Sequence, residues 1–582
     1  MKRFLALLLA AILCLSFAAC GGNNDAEVVD GNDGSETVVD EVPNAADLVS
    51  DAFIDPVKDW AQYNALIDEI KACTDYAKRT ELMHQAEDIL MSNYCVIPFY
   101  YYNDIYLQKD YVEGVFANLF GTKFFMYATL GNGADTLRLN LASEPAYLDP
   151  ALNSSVDGAC LAANSFSGLY TYNADGVTSP ACAEGYTVSE DGLTYTVTLK
   201  SDLKWSNGDP LTAADFEYSW KRAAAEETAS DYCYMFSGFV GYPNELAVTA
   251  VDDVTLEFVL AAPCAYIEDL MAFPTFFPVH RASVEANADP AAPGKWAQEA
   301  GFVSNGAYVC TSWTHDVSMT YTKNPYFWDA DNVEVESLEF MLSDDDTAIY
   351  AAYNAGDIDF ADTVPTDEIA SLLDNPEFHI VDNLGTYYAA FNCKSSLFDG
   401  KTPEEAACMR KAISILVDRE YICENIGQTG QKPANAFIPY GMADGNGGVF
   451  KTEVVEQGYY DPYAINNDYE GTLEEARTLL KAAGYKFDED GTLSDETPIS
   501  LTYLTNNTSG HVAVAESMQQ DFAALGIDMT INTLDWNVFL EERKAGNFDF
   551  AREGWTADFN DPINMLEMWI TDSGNNDCQF GR

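Results

Sequence analysis

Apolar residues return at every second position in GLTYTVTLK (192–200), where Leu193, Tyr195, Val197 and Leu199 alternate with threonines. This period predicts a half-buried strand. Elsewhere the period is helical. TPEEAACMRKAISILVD (402–418) puts Met409, Ile413 and Leu416 on one helical face. It opens with Thr402 and Glu405 spaced as a capping box and with Pro403 at the first helical position. TLEEARTLLKAAGY (472–485) repeats the device with Thr472 and Glu475 and closes on Gly484. MQQDFAALGIDMTINTL (518–534) reads as helix, a break at Gly526, then strand. Tyr63, Leu66, Ile67 and Ile70 form one more apolar stripe that has to be buried somewhere. Strands alternating with helices predict an α/β or mixed architecture with several lobes.

The first 56 residues break this pattern. A short basic start (MKR), an apolar run (FLALLLAAILCLSF) and a small-residue site ending in Cys20 resemble a bacterial lipoprotein signal, with Phe17 where leucine is usual. The resemblance implies that Cys20 is acylated and anchors the chain to the extracellular face of the cytoplasmic membrane. The apolar run is short for spanning a bilayer of about 30 Å. Residues 21–56 are rich in Gly, Asn and acids and are expected to be an unfolded tether.

Composition narrows the function. The chain has 582 residues and is 48% apolar, enough for more than one domain. Acids outnumber bases 93 to 30, a net charge of −63, which repels nucleic acid and anionic headgroups. Thirteen cysteines contain no Cys-x-x-Cys, and setting Cys14 and Cys20 aside leaves eleven, so most read as small buried hydrophobes. The five histidines share no helical turn that would suit zinc, and no cofactor is expected. DEDGTLSDE (488–496) has its glycine too early for a calcium loop and reads as a hairpin turn.

WSNGDPLTAADFEYSWKRA (205–223) carries a turn at Asn207–Gly208 and a capped helix start at Thr212. It resembles the signature segment of the extracellular solute-binding proteins of family 5, which feed peptide importers of the ABC type. EPAYLDPALN (144–153), SNGAYVCTSW (304–313), KNPYFWDADNV (323–333), AAYNAGDIDF (351–360), MRKAISILVDREYI (409–422) and GNFDFAREGWTADFNDP (546–562) continue the likeness in the family's order. Residues 62–107 look like the family's C-terminal segment, yet here they stand first, the order of a circular permutation. The resemblance implies a bilobal periplasmic-binding-protein-like α/β fold of type II, with an extra domain, mixed sheets and a hinge. Lobe I would comprise 106–166 and 265–384, the extra domain 167–264, and the ligand-binding lobe II 385–582. Residues 57–105 would pack against lobe II.

The resemblance also implies a site. In peptide-binding relatives the aspartate of a GW-x-AD segment meets the ligand's α-ammonium, which points here to Asp558, beside the rings of Trp555 and Phe559. Gly554 would let a ligand backbone approach, and its C=O and the Thr556 N–H would bond a peptide as an added strand. Trp536 would wall a side-chain pocket and Tyr232 would line the cleft. Arg552 and Arg543 would receive a carboxylate. Tyr387 and Tyr388 would lie near hinge and cleft. Read from the residues alone, Asp558 could instead cap the turn containing Asn560 and Pro562, and Arg543 could pair on a surface helix with Glu541 or Glu542.

The implied function is capture without chemistry. A monomer would bind extracellular oligopeptides, close over them and deliver them to the permease subunits of an ABC importer. The alternatives are another solute of the same family (a dipeptide, signalling peptide, nickel complex or sugar) or, further off, an extracellular hydrolase. The chain shows no phosphate loop, Gly-x-Ser-x-Gly elbow or His-Glu-x-x-His.

Overall fold

The computed structural model describes residues 42–141, 144–452 and 469–582. Their central feature is a mixed sheet of eleven strands. Ten are labelled here: β1 (Val96–Gln108), β2 (Thr136–Asn140), β3 (Tyr308–Thr314), β4 (Ser318–Lys323), β5 (Ser337–Met341), β6 (Phe360–Ala361), β7 (Phe378–Phe391), β8 (Ser500–Asn506), β9 (Asp528–Leu534) and β10 (Phe550–Thr556). Their order is β3-β4-β5-β2-β6-β1-β7-β10-β8-β9, with Lys432–Pro433 also pairing with β1.

β1 and β7 join the two halves. They run antiparallel from Val96 opposite Ala390 to Leu107 opposite Phe378. At one end β1 pairs with β6, and at the other β7 pairs with β10. Val96, Ile97 and Phe99 are fully buried because β1 has neighbours on both faces. The register breaks midway: Tyr101 faces Thr386, but Asn103 faces Asp382. Three residues of β7 therefore oppose Tyr102 alone, and a side chain on Gly385 would strike the Tyr102 ring at 2.7 Å. The boundary expected at 105/106 lies inside β1, so the chain crosses between the halves within one unbroken strand.

Residues 61–92 form two helices, Ala61–Ala72 and Tyr76–Ser92, whose apolar faces pack on the last residues of the chain. The Trp60 ring stacks on Phe580 at 4.0 Å, and its Nε1 donates to the Trp569 carbonyl at 2.8 Å. Tyr63 Oη donates to the Leu566 carbonyl. Arg79 meets Asp561 through both guanidinium nitrogens at 2.8 Å. A separate four-stranded sheet, within 183–259, packs on the helix Ala213–Ala224, which begins with a capping box of Thr212 and Asp215.

The local readings fare unevenly. The Thr402–Glu405 capping box forms as expected, and Gly484 ends its helix with φ +87°. The helix expected to start at Thr472 is already under way at Tyr469, so Thr472 lies within it rather than capping it. Residues 43–56, expected to be tether, are folded: Ala45 is buried and Leu48, Val49 and Ile54 pack on the core, giving a polar segment a small apolar foothold. Cys20 and residues 21–41 lie outside the described residues. All eleven cysteines of the described residues are free thiols, eight of them buried.

Candidate ligand-binding site

A cavity of about 380 Å³ lies where the halves meet the four-stranded domain. Its walls bring together eight residues expected at a site: Asp558, Gly554, Trp555, Thr556, Trp536, Tyr232, Arg552 and Arg543. They reach it from three places. β10 and the loop after it supply Arg552 and residues 554–558. The helix Trp536–Lys544 supplies Trp536 and Arg543, and Tyr232 comes from the turn that opens the short 3-10 helix Cys233–Gly238.

Asp558 is 8% exposed and has two neutral partners. Tyr232 Oη donates to its Oδ1 at 3.1 Å and Asn564 Nδ2 to its Oδ2 at 2.9 Å. Burial pushes its carboxyl up to about 7, only partly offset by the Asn564 and Tyr232 hydrogen bonds, and the nearby Glu567 adds to the rise. Asn564, fully buried, also accepts from the Asp558 N–H and the Trp555 indole at 3.0 Å, so one amide fixes both groups. The turn-capping alternative goes to a different residue, since Asp561 accepts the Ile563 N–H at 3.0 Å. Phe559, next to Asp558 in the chain, stacks on Tyr266 at 4.2 Å.

β10 offers the cavity an open edge. It pairs with β7 along its length, but with β8 only at Phe550 and Ala551. The Ala557 N–H donates to the Leu384 carbonyl at 2.7 Å. Ladder alternation then turns the main-chain groups of Gly554 and Thr556 away from β7. Gly554 also has a packing reason within the fold. A Cβ there would lie 2.2 Å from the Tyr102 hydroxyl, so the glycine makes room for Tyr102.

The two arginines differ. Arg543 is already engaged, at 2.8 Å from Glu553 and 3.0 Å from Asp577, instead of pairing with Glu541 or Glu542. Arg552 is buried between rings, its guanidinium carbon 5.4 Å from the centre of Tyr387 and 5.8 Å from that of Trp536. Its Nε has no hydrogen-bond partner. Tyr387 supports it from behind, stacked on Tyr100 at 4.8 Å, and Tyr388 points to the other face, against Phe437 and Trp569. Neither tyrosine is among the cavity-lining residues.

Several wall residues carry no local signal in the sequence. Tyr102 arrives from β1. His511 stacks on Tyr387 at 5.4 Å and is held neutral by burial and the neighbouring Arg552. Asn506, Asp157 and Lys544 also line the cavity.

Residues 178–577 match the family of bacterial extracellular solute-binding proteins, family 5. The oligopeptide-binding protein OppA of Bacillus subtilis is 32% identical over 464 residues, covering 76% of this chain and 79% of that protein. The dipeptide-binding protein DppE of the same organism is also 32% identical, over 76% and 78% of the two chains. Among solved structures, Haemophilus influenzae OppA in complex with the peptide RPPGFSPFR superposes with a TM-score of 0.67 at 27% identity, over 77% of this chain and 85% of that one. Listeria monocytogenes OppA bound to peptide gives 0.66 at 29% identity, over 77% and 86%.

Proposed function

The chain belongs to the bacterial extracellular solute-binding proteins of family 5, and we propose that it captures oligopeptides outside the cell for delivery to an ABC-type permease. Asp558 carries this reading: a buried carboxylate on a cavity wall, with only neutral partners. The α-ammonium of a peptide supplies the missing cation through a charge-assisted hydrogen bond. The open edge at Gly554 and Thr556 bonds the peptide backbone as an added strand, whatever its side chains. Arg552 takes the carboxylate end in preference to Arg543, whose charge is already met by Glu553 and Asp577. β1 and β7 act as the hinge on which the halves close.

The lipid anchor at Cys20, the membrane permease as partner, the monomeric state and the absence of catalysis belong to the same proposal. The first rests on residues 1–20 alone. The permuted segment order is supported by the packing of residues 56–92 on the chain's last residues, where the Gly581 N–H donates to the Pro56 carbonyl at 2.9 Å.

The test is calorimetric titration of tri- to pentapeptides against their N-acetylated forms. Acetylation removes the cation and keeps the backbone, so affinity is expected to fall about thirtyfold or more. Equal affinities would remove Asp558 from its assigned role.

A further inference from the structure

Phe120, Phe124, Tyr172 and Phe273 come from segments far apart in the chain, yet all line the main cavity. Separate links place them at the end that holds Asp558. Tyr232, which donates to the Asp558 carboxyl, meets the Phe273 ring edge-on at 5.2 Å. Asp269 accepts the Asn560 N–H at 3.1 Å with one oxygen and the Tyr172 hydroxyl at 2.9 Å with the other. Main-chain bonds run from the Ala557 N–H to the Leu384 carbonyl at 2.7 Å and from the Leu384 N–H to the Leu119 carbonyl at 2.8 Å. Phe120 therefore stands one strand away from the Asp558 loop, and its ring meets Tyr172 edge-on at 5.6 Å.

The rings differ in burial. Phe124 and Tyr172, 3% and 6% exposed, form the backing, and the Tyr172 hydroxyl is already taken by Asp269. Phe120 and Phe273 pack on the core but stay partly open. Open rings on a cavity wall gain when an apolar group enters and displaces water. Lys123, next in the chain to Phe124, does not bring its charge to them, because Asp104 holds its ammonium at 2.6 Å and Asp362 at 2.8 Å. Arg552 lies toward the other end of β10, its guanidinium carbon 5.8 Å from the centre of the Trp536 ring.

A peptide with its α-ammonium at Asp558 and its carboxylate at Arg552 runs antiparallel to β10. Its first side chain leaves from the carbon that bears the amine, so this is the one that reaches the ring cluster. In an extended peptide the second side chain leaves on the opposite face.

We propose that Phe120 and Phe273, backed by Phe124 and Tyr172, form a subsite for the side chain of the peptide's first residue and select a large apolar or aromatic one. This rests on the peptide-binding reading above and names the class of peptide preferred. An aromatic side chain meets Phe120 and Phe273 edge-on or offset, as those rings already meet Tyr172 and Tyr232.

The test titrates X-Ala-Ala-Ala tetrapeptides into the intact protein, with phenylalanine, leucine, alanine, glutamate or lysine as X, beside Ala-Phe-Ala-Ala and Ala-Ala-Phe-Ala. Every peptide keeps a free amine and carboxylate, so the contacts at Asp558 and Arg552 cancel. Phenylalanine in first place is expected to outbind alanine there by about tenfold to hundredfold, with glutamate and lysine below phenylalanine. Moving phenylalanine to second place should lose most of that gain. In Phe120→Ala and Phe273→Ala chains the phenylalanine-to-alanine ratio should fall by about threefold to tenfold. Phe273→Leu, which keeps an apolar wall, should cost less, and thermal unfolding checks the fold of each chain. Equal binding of phenylalanine and alanine in first place, with tetraalanine still bound, would overturn the subsite and leave the peptide-binding reading standing. The subsite would also fall if phenylalanine gained equally at every position, if glutamate or lysine outbound it, or if the ratio survived both alanine substitutions. If no peptide binds, tetraalanine included, the peptide-binding reading itself falls.

Discussion

Asp558 sits where burial outweighs two good hydrogen bonds, and its titration makes the binding reading measurable. With its carboxyl raised to about 7, much of the ligand-free protein is protonated there at neutral pH. A bound ammonium needs the ionised form, so binding must expel that proton as pH drops below 7. Affinity is expected to fall about tenfold per pH unit in that range, or fiftyfold to hundredfold from pH 7.5 to pH 5. The Asp558→Asn chain should show a flat profile, weaker than the unmodified chain by about 2–5 kcal/mol at pH 7.5, with the gap narrowing as pH falls. Isothermal titration across that range decides it. A parallel slope in both chains would assign the pH dependence to another group.

At the scale of elements, the meeting of β1 with β10 is the sharpest joint in the site. The Gly554 Cβ position lies 2.2 Å from Tyr102 Oη but 3.3 Å from Cζ, so the clash is with a single hydroxyl. Gly554→Ala should lower stability by about 1–3 kcal/mol through overpacking, and adding Tyr102→Phe should return most of it. Denaturant melts of the single and double variants measure this, and no recovery in the double variant would mean that the strain lies in the backbone. The joint also shows what was legible in the sequence. The Thr402–Glu405 cap, the Asn207–Gly208 turn and the strand at 194–199 are settled by neighbours a few residues away, and they appear as read. Most of the GW-x-AD wall was legible through its family likeness. The rest was not, because long-range packing decides it. Gly554 reads as room for a ligand until β1 places Tyr102 above it. Arg543 reads as a surface residue until Glu553 and Asp577 close on it. Asn564 matters only once the Asp558 loop and the Trp555 indole close on it.

For the whole molecule, the scarcity of bases is informative: 30 against 93 acids. Several of the bases hold one segment to another rather than sitting on the surface. Lys71 meets the buried Glu567 at 2.6 Å, next to the acid site. Arg79, 6% exposed, holds Asp561 by two parallel bonds and so ties the helix Tyr76–Ser92 to the loop after Asp558. A fork of this kind is worth more than an exposed pair, because removing the cation strands a buried carboxylate. Arg79→Met is expected to lower stability by about 3–5 kcal/mol. Asp561→Asn in the same chain should recover much of that, since the amide can still accept the Ile563 N–H without a stranded charge. Urea unfolding followed by tryptophan fluorescence reports both, Trp60 and Trp569 lying in this joint. If Arg79→Met instead lowers stability by less than about 1 kcal/mol, the value of an exposed pair, then residues 61–92 do not dock as described, and β1 loses the helices that lead into it.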